Sequence, residues 1–250
     1  MSDKIVVVLL GHKAKAGKDT IAEFVEDLGF KRAAFADKLK HTVMDLYHFN
    51  NEQMFGETKE QQDERYPNLI DKEFFYPGEE DYPNPELNTL AKFDSYLKSS
   101  PTLSVDVQSL KIPNPDYKSF FTPRRILQIF GQQQRSINPD IWAAYVFNST
   151  VTRMVEEGCK RVVVTDFRFR NEAKVAERWA EQDPENRILH TVKVYRPGVL
   201  AGSGANDISE IDLDEYEFQH TVVNDGTLED LKDKAVTFFE KVILEGDQLT

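Results

Sequence analysis

The feature that most constrains this chain is its opening, where an apolar run leads directly into a glycine-lysine turn. Residues 4–10 read KIVVVLL, and residues 11–20 read GHKAKAGKDT. A short β-branched run predicts a buried strand, and a Gly-Lys turn after it predicts the beginning of a helix. The backbone N–H groups of such a junction, the positive end of the helix and a lysine side chain together suit a polyphosphate. The sequence therefore predicts a phosphate-binding loop with Lys18 as its charged side chain, the alternative being a lysine-rich surface turn.

The spacing of this loop departs from the usual pattern of a glycine, four residues, Gly-Lys and then Ser or Thr. Five residues separate Gly11 from Gly17, so either His12 takes the place of the first glycine or the loop is one residue longer. Asp19 stands where a magnesium-binding hydroxyl is expected, and a carboxylate can hold Mg²⁺ directly or through water. The residues predicted to bind the nucleotide phosphates are Gly11, Lys15, Ala16, Gly17, Lys18, Asp19 and Thr20.

Charge and cysteine content exclude several classes of partner. The formal net charge is −12 and the pI is near 5, which argues against a nucleic acid partner and against an anionic membrane surface. Cys159 is the only cysteine, so no intrachain disulfide can form and a reducing compartment fits. The apolar run at the start is too short for a signal peptide or a membrane span. We therefore expect a cytoplasmic protein.

Predicted strands alternate with predicted helices, which indicates a parallel sheet with helices on both faces. The predicted strands are residues 4–10, 32–35, 161–165, 188–195 and 218–223. The predicted helices are residues 18–28, 85–98, 124–134 and 138–157, with three more that begin near Asp37, Asn171 and Leu228. A capping box between Thr227 and Asp230 marks the beginning of the last helix, whose predicted apolar face includes Leu228.

Residues 51–121 differ in amino-acid composition from the rest of the chain. They hold seven of the eleven prolines and carry 14 acidic against 7 basic residues. This composition predicts an acidic insertion into a core formed by residues 1–50 and 122–250. Its aromatic residues make long disorder unexpected and suit a small separate core, a ligand cage or a dimer contact. These aromatics include Phe74, Phe75, Tyr76, Phe120 and Phe121.

Six segments in order resemble the bacteriophage deoxynucleoside monophosphate kinases and, more distantly, the wider P-loop NMP kinase group. They are the loop at 11–20, FADKLK at 35–40, RRILQIFG at 124–131, VTDFR at 164–168 with Asn171-Glu172, VYRPG at 194–198 and VVNDGTLEDL at 222–231. The resemblance covers about residues 4–50 and 122–240. It implies a P-loop kinase-type α/β core with a five-stranded parallel sheet, an inserted substrate lobe and a short lid at about 197–217. Relatives often carry a histidine shortly before the Ser209-Glu210 pair of the lid, where this chain has Asp207.

The resemblance implies ATP-dependent phosphorylation of deoxynucleoside monophosphates with Mg²⁺. The acceptor phosphate is largely a dianion at neutral pH, so the reaction requires cations and positioning rather than a strong base. The catalytic residues implied are Lys18, Asp19, Asp166, Arg168 and Arg196. Asp19 and Asp166 would hold Mg²⁺, and the turn with Asn224 and Gly226 would skirt the adenine of ATP.

The same resemblance suggests residues for the acceptor nucleotide, several of which have an alternative structural interpretation. Arg124 or Arg125 would bind the monophosphate, Gln128 would read a base edge or face solvent, and Gly131 would admit the acceptor or end its helix. Lys40 would contribute to the same pocket, and Trp142 would stack on the base or lie in the core. Glu172 would orient Arg168 or the acceptor sugar, or complement a helix dipole. For Arg170, His190 and His220 we expect structural roles only.

Two further functions remain open from the sequence. A kinase acting on another small acceptor, of the phosphomevalonate or dephospho-coenzyme A type, would share the loop and the Phe35-Ala36-Asp37 segment. A nucleotide-hydrolysing switch would share the loop alone and would bind a protein partner through the acidic insertion. The arginines at predicted strand ends favour an anionic acceptor, and residues 124–131 favour a nucleotide.

Overall fold

The computed structural model describes residues 4–65, 121–198 and 208–244. The chain divides into two compact units, one formed by Met1–Ala36 with Trp142–Thr250 and the other by Asp37–Ile141. Several features predicted from the sequence lie outside the described residues. They are the helix at 85–98, the aromatics Phe74, Phe75, Tyr76 and Phe120, and Asp207 of the lid.

The first unit contains a parallel sheet. Among the described residues its strands are β1 (Ile5–Gly11), β2 (Lys31–Ala33), β3 (Arg161–Phe167), β4 (Arg187–Tyr195) and β5 (His220–Val223). Their order is β2-β3-β1-β4-β5, and every neighbouring pair is parallel. In the central strand, Val8 pairs with Val163 of β3 and with His190 of β4. Since parallel strands end at one edge, the segments that follow β1, β3 and β4 leave the sheet together.

Helices connect these strands. In chain order, the α-helices within the described residues are α1 (Lys18–Phe24), α2 (Phe35–Tyr47), α3 (Asn51–Phe55), α4 (Pro123–Ile137), α5 (Ile141–Tyr145), α6 (Thr152–Glu156), α7 (Arg170–Glu181), α8 (Ile208–Ile211) and α9 (Leu228–Phe238). The π-helical segment Val146–Val151 joins α5 to α6, and a second one, Phe239–Leu244, extends α9. None of the described helices has the length and hydropathy needed to cross a membrane.

Apolar side chains cover both faces of the sheet. Alternate residues of a strand point to opposite faces, and both sets in β1 are buried. Val7 belongs to a cluster with Phe147, whereas Val8 belongs to a second cluster with Ile21 and Phe239. Burial on both faces explains why β1 is a continuous apolar run without polar alternation. The predicted α/β class is therefore confirmed, since the described residues form a five-stranded parallel sheet with helices on both faces.

Several predicted boundaries and faces were wrong. The second strand ends at Ala33, and Phe35 begins α2 because its backbone N–H is capped by a side chain from β3. The third strand continues past residue 165 to Phe167. Leu228 is 65% exposed, since it is the first residue of α9 and precedes the turn that packs on the sheet. The capping box that begins this helix, between Thr227 and Asp230, is confirmed.

In the second unit, the described ends of the predicted insertion are held by local hydrogen bonds. Asn50 and Gln53 form a reciprocal capping box at the beginning of α3. Arg65 donates to Asp63 through Nε at 2.9 Å and Nη2 at 2.6 Å, and these bonds lower the pKa of the Asp63 carboxyl. The backbone N–H of Asp63 donates to the carbonyl of Phe121 at 2.9 Å. Residues 51–65 and residue 121 are thereby joined in one folded piece.

Candidate phosphate-binding site

The loop between β1 and α1 contains three residues with positive φ. His12, Lys15 and Gly17 have positive φ values of 89°, 58° and 103°. Left-handed residues can expose the N–H groups of a loop to an anion, and the N–H of Ala14 in this loop donates to the Glu210 carboxylate at 3.0 Å. His12 thus adopts a glycine-like conformation. This supports the interpretation in which His12, rather than Gly11, takes the place of the first glycine of the loop. Burial, followed by the charges of Lys193 and Lys13, lowers the pKa of His12 to about 4, so the ring is neutral at pH 7.

The end of the loop is held by the turn after β5. The Asn224 side chain, itself buried, donates from Nδ2 to the carbonyl of Ala16 at 2.9 Å. Its backbone N–H donates to Tyr195 at 2.7 Å, which ties this turn to the end of β4. At Gly17 a Cβ atom would lie 2.9 Å from Asn224 Nδ2, and φ is 103°, so only glycine fits without strain. Asn224 therefore supports the loop directly, a role that its Asn-Asp-Gly sequence did not indicate.

Lys18 is the first residue of α1 and is only 5% exposed. Its Nζ donates to the backbone carbonyl of His12 at 3.2 Å and to that of Lys13, so the ammonium lies under the loop. Burial, followed by the positive charge of Arg168, lowers its pKa to about 7. The charges that oppose this shift belong to Glu210, Asp19 and Asp166. Because the charged form of Lys18 is disfavoured by burial, a polyanion bound beside it would stabilise that form strongly.

Arg168 follows β3 directly and is held from both sides. Its backbone N–H donates to Glu172 Oε2 at 2.8 Å, and Glu172 also accepts from the backbone N–H of Phe169 at 3.0 Å. Glu172 is buried in the first turn of α7, so it caps that helix while fixing the strand end that carries Arg168. The guanidinium Nη1 of Arg168 donates to Glu210 Oε1 at 2.7 Å. The structure thus brings Arg168 and Lys18 into one electrostatic site.

Glu210, in α8, bridges this arginine and the loop. Its Oε2 accepts from the backbone N–H of Ala14 at 3.0 Å. Lys13 donates to the backbone carbonyl of Glu210 and forms an ion pair with Asp214. These contacts close the loop with a segment about 200 residues away in sequence, and the sequence assigned no role to either acid. The only available signal was the Ser209-Glu210 pair within the resemblance.

The two acids predicted to hold Mg²⁺ have different surroundings. Asp166 accepts from the N–H groups of Phe35 at 2.7 Å and Ala36 at 2.9 Å, one on each carboxylate oxygen. Asp19 is exposed and lies 3.4 Å from Arg32 Nε. Among the described residues no three acidic, histidine or cysteine side chains cluster as a metal cage. Carboxylates are the hard oxygen ligands that Mg²⁺ prefers, so this pair suits an ion bound by one or two carboxylates and otherwise by phosphate oxygens and water.

The predicted acceptor residues on α4 belong to the second unit. Arg124 is exposed and donates to Glu60 Oε1 at 2.9 Å, whereas Arg125 is exposed and its backbone N–H is capped by Thr122 at 3.1 Å. Gln128 is half-buried. Helix α4 continues past Gly131 to Ile137, so the prediction that this glycine ends the helix was wrong.

The same unit also contains the other predicted acceptor residues near α4. A Cβ at Gly131 would lie 2.8 Å from Leu39 Cδ2, so this glycine allows α2 and α4 to pack closely. Lys40 Nζ lies 4.8 Å from the ring centroid of Phe55, within cation–π distance. Both residues therefore have structural contacts within their own unit.

The remaining candidates lie in the first unit. Trp142 is 3% exposed and belongs to the interior, as its core interpretation expects. Arg196 is exposed after β4, and Thr20 is half-buried in α1.

The two remaining glycine candidates lie at element boundaries. Gly11 ends β1, where a Cβ would collide with Phe167 and Phe218, and Gly226 precedes the cap of α9. The structural expectation for Arg170 agrees with its contacts, since its backbone N–H donates to Asp212 at 2.7 Å. His190 and His220 lie 3.3 Å apart between ring nitrogens on β4 and β5.

No family model matches the sequence. The uncharacterized protein ORF76 of Ictalurid herpesvirus 1 (strain Auburn) is 29% identical over 109 residues, which is 43% of this chain. The chain thus spans only 42% of the length of that relative.

Two solved structures are also similar to this chain. The dephospho-CoA kinase from Campylobacter jejuni has 16% identity and a TM-score of 0.46, with coverage of 99% of this chain and 100% of that one. An unliganded sugar kinase from Janibacter has 14% identity and a TM-score of 0.41, with 95% of each chain covered. The function of the site has to be inferred from its own geometry.

Proposed function

We propose that this chain is an ATP-dependent phosphotransferase that converts deoxynucleoside 5′-monophosphates to diphosphates. The observation that carries the proposal is the burial of Lys18 beneath the loop, with Arg168 close enough to lower its pKa. Two neighbouring cations that repel each other favour an anion beside them, and in this structure the Glu210 carboxylate takes that position. A polyphosphate would neutralise both of them.

The chain's own residues would act by electrostatics and positioning. The loop N–H groups and Lys18 would bind the donor's β- and γ-phosphates, and Arg168 would contact the transferring group from the end of β3. Glu172 would act as a positioning residue, because it holds the backbone of Arg168 and Phe169. Arg196 would approach the same edge from the end of β4. No general base is needed, since the acceptor phosphate is already largely ionised at neutral pH.

Mg²⁺ would supply charge neutralisation on the phosphates when bound. Asp166 would hold it because its carboxylate lies near the end of β3 and is fixed there by the N–H groups of Phe35 and Ala36, with Asp19 as a second ligand or a ligand through water. The acceptor residues remain those that the resemblance gives: Lys40, Arg124, Arg125, Gln128, Gly131, Trp142 and Glu172. The turn with Asn224 and Gly226 would lie beside the adenine.

The proposal is tested by coupled ATP consumption measured with each deoxy- and ribonucleoside monophosphate. Stimulation by one or more deoxynucleoside monophosphates is expected. Turnover only with dephospho-coenzyme A or phosphomevalonate would assign the other acceptor class. Slow ATP loss that no acceptor changes would indicate a nucleotide-hydrolysing switch and would contradict the kinase.

Two variants connect this activity to the site. Arg168→Ala should reduce acceptor-dependent turnover by about 10³-fold or more, the range seen for arginines that contact a transferring phosphoryl group. Arg153→Ala is the matched control, because Arg153 is exposed and its nearest partner is the i+4 Glu157 at 4.0 Å. Lys18→Ala should likewise abolish turnover, with the exposed Lys174→Ala as its control. Equal activity of Arg168→Ala and Arg153→Ala would remove Arg168 from the site.

A further inference from the structure

The Glu210 carboxylate uses the hydrogen-bond donors that an anionic ligand of the loop would need. Its side chain is 11% exposed. Oε2 accepts from the loop N–H of Ala14 at 3.0 Å, and Oε1 accepts from Arg168 Nη1 at 2.7 Å. Its negative charge also opposes the drop in the pKa of Lys18. One carboxylate therefore satisfies a backbone donor and a guanidinium and also stabilises the buried ammonium.

A phosphate group would make the same three interactions. Carboxylate and phosphate oxygens are both charged acceptors for backbone N–H groups and guanidinium forks. Two such anions cannot share one N–H group and one Nη1 atom, because each would repel the other across a half-buried site. Arrival of a terminal phosphate at Ala14 and Arg168 thus requires the Glu210 carboxylate to leave.

We propose that Glu210 is an internal substitute for a phosphate group, and that its competition with the terminal phosphate of a bound polyphosphate sets the affinity of the site. The inference rests on the proposed phosphate-binding role of the loop. The exchange concerns the side chain, because Lys13 holds the backbone carbonyl of Glu210 and the Asp214 carboxylate independently. The α8 segment can stay attached to the loop while the carboxylate turns away.

The test is the affinity for inorganic pyrophosphate, measured by isothermal titration calorimetry at fixed ionic strength. Glu210→Gln keeps the shape of the side chain and removes its charge, which weakens its hold on Ala14 and Arg168. A charged hydrogen bond is roughly twice as strong as a neutral one, so we expect pyrophosphate to bind about tenfold more tightly. Unchanged or weaker binding in a folded Glu210→Gln protein overturns the proposal.

The matched control is Glu215→Gln. It makes the same change in net charge on the same segment, but Glu215 is 90% exposed and forms its ion pair with Arg170, at 3.6 Å. We expect its pyrophosphate affinity to stay within about twofold of the wild type, as for other exposed ion pairs. Equal tightening in both variants would mean that bulk charge is responsible and would overturn the proposal.

A double variant separates competition from structural damage. In an Arg168→Ala background, Glu210→Gln should change pyrophosphate affinity by less than about threefold, because one of the two shared donors is gone. A full tenfold effect in that background would overturn the shared-donor geometry. If Glu210→Gln does not fold, Glu210→Asp shortens the carboxylate and should also tighten binding.

Failure of the inference and failure of the proposed function are distinguishable. Acceptor-dependent ATP turnover by the wild type tests the function and does not depend on Glu210→Gln. Tighter pyrophosphate binding without turnover would leave the inference standing and remove the kinase. Turnover by the wild type, together with an unaltered pyrophosphate affinity in Glu210→Gln, would support the kinase and overturn the inference.

Discussion

Replacing Lys18 with methionine should stabilise the ligand-free protein while removing its function. Burial and Arg168 lower the pKa of Lys18 from 10.5 to about 7. One pKa unit corresponds to ~1.4 kcal/mol, so this difference corresponds to roughly 5 kcal/mol in the free energy of unfolding. Methionine fills most of the same space but loses the hydrogen bonds to His12 and Lys13, at about 1 kcal/mol each. A net gain of about 3 kcal/mol should remain, which raises the melting temperature by roughly 6–12 °C in a chain of this size.

The gain in the free energy of unfolding from Lys18→Met should decrease as the pH rises. Below pH 7 both the folded and the unfolded chain carry the Lys18 proton, so the folded state bears the full cost of the buried charge. Between about pH 7 and 10.5 the unfolded chain holds more protons than the folded chain, so rising pH stabilises the wild type. The difference in melting temperature between variant and wild type should therefore be largest at pH 6.5 and shrink steadily by pH 9.

Differential scanning calorimetry at pH 6.5, 7.5 and 9 measures this difference. The exposed Lys174→Met serves as the control and should shift the melting temperature by no more than about 2 °C, as exposed substitutions do. Pyrophosphate should stabilise the wild type and leave Lys18→Met unchanged. A variant that melts at or below the wild-type temperature at pH 6.5 would refute the buried-charge argument.

Three other predictions concern the same loop. The affinity for ADP should fall by up to about tenfold per pH unit above pH 7.5 as Lys18 loses its proton, and Lys18→Arg should abolish this dependence in a titration of ADP by calorimetry. Asn224→Ala should cost about 1–3 kcal/mol in urea unfolding because a buried loop carbonyl loses its donor, whereas Asn186→Ala, at an exposed bond of similar length, should cost under about 0.5 kcal/mol. Gly17→Ala should lower both stability and pyrophosphate affinity; Gly158→Ala, which has φ of 89° but no neighbour within 4 Å, should lower stability by about 1 kcal/mol and leave affinity unchanged. Equal pyrophosphate affinity in the two glycine variants would contradict the account of the loop.

The parts of the fold that the sequence predicted are those governed by neighbouring residues. Two apolar runs, ending near Leu10 and Val164, predicted strands because a strand buried on both faces needs no polar alternation. The Thr227 capping box predicted the first turn of α9, since a cap is a contact between residues three apart. The junction from β1 to α1 was likewise predicted, from the apolar run, the glycines and Lys18.

Errors occurred where a distant residue decided a local boundary. Phe35 was assigned to a strand, yet it begins α2 because the Asp166 carboxylate, 131 residues away, accepts its N–H. At Asn224 a distant contact was missing from the prediction of a turn beside the adenine, since its side chain also donates to the loop carbonyl of Ala16 across 208 residues. Neither partner can be read from the periodicity or the turn chemistry around it.

By itself, the sequence determined the order of strands and helices and the strand-loop-helix junction that carries Lys18. These follow from side-chain patterning and backbone preference over a few neighbouring residues. The tertiary structure alone decided the pKa of Lys18, the partner of Arg168 and the occupation of the loop by Glu210. Desolvation and Coulomb energy depend on distances between atoms, and here parallel crossovers bring together charged and polar groups that lie 42 to 196 residues apart along the chain.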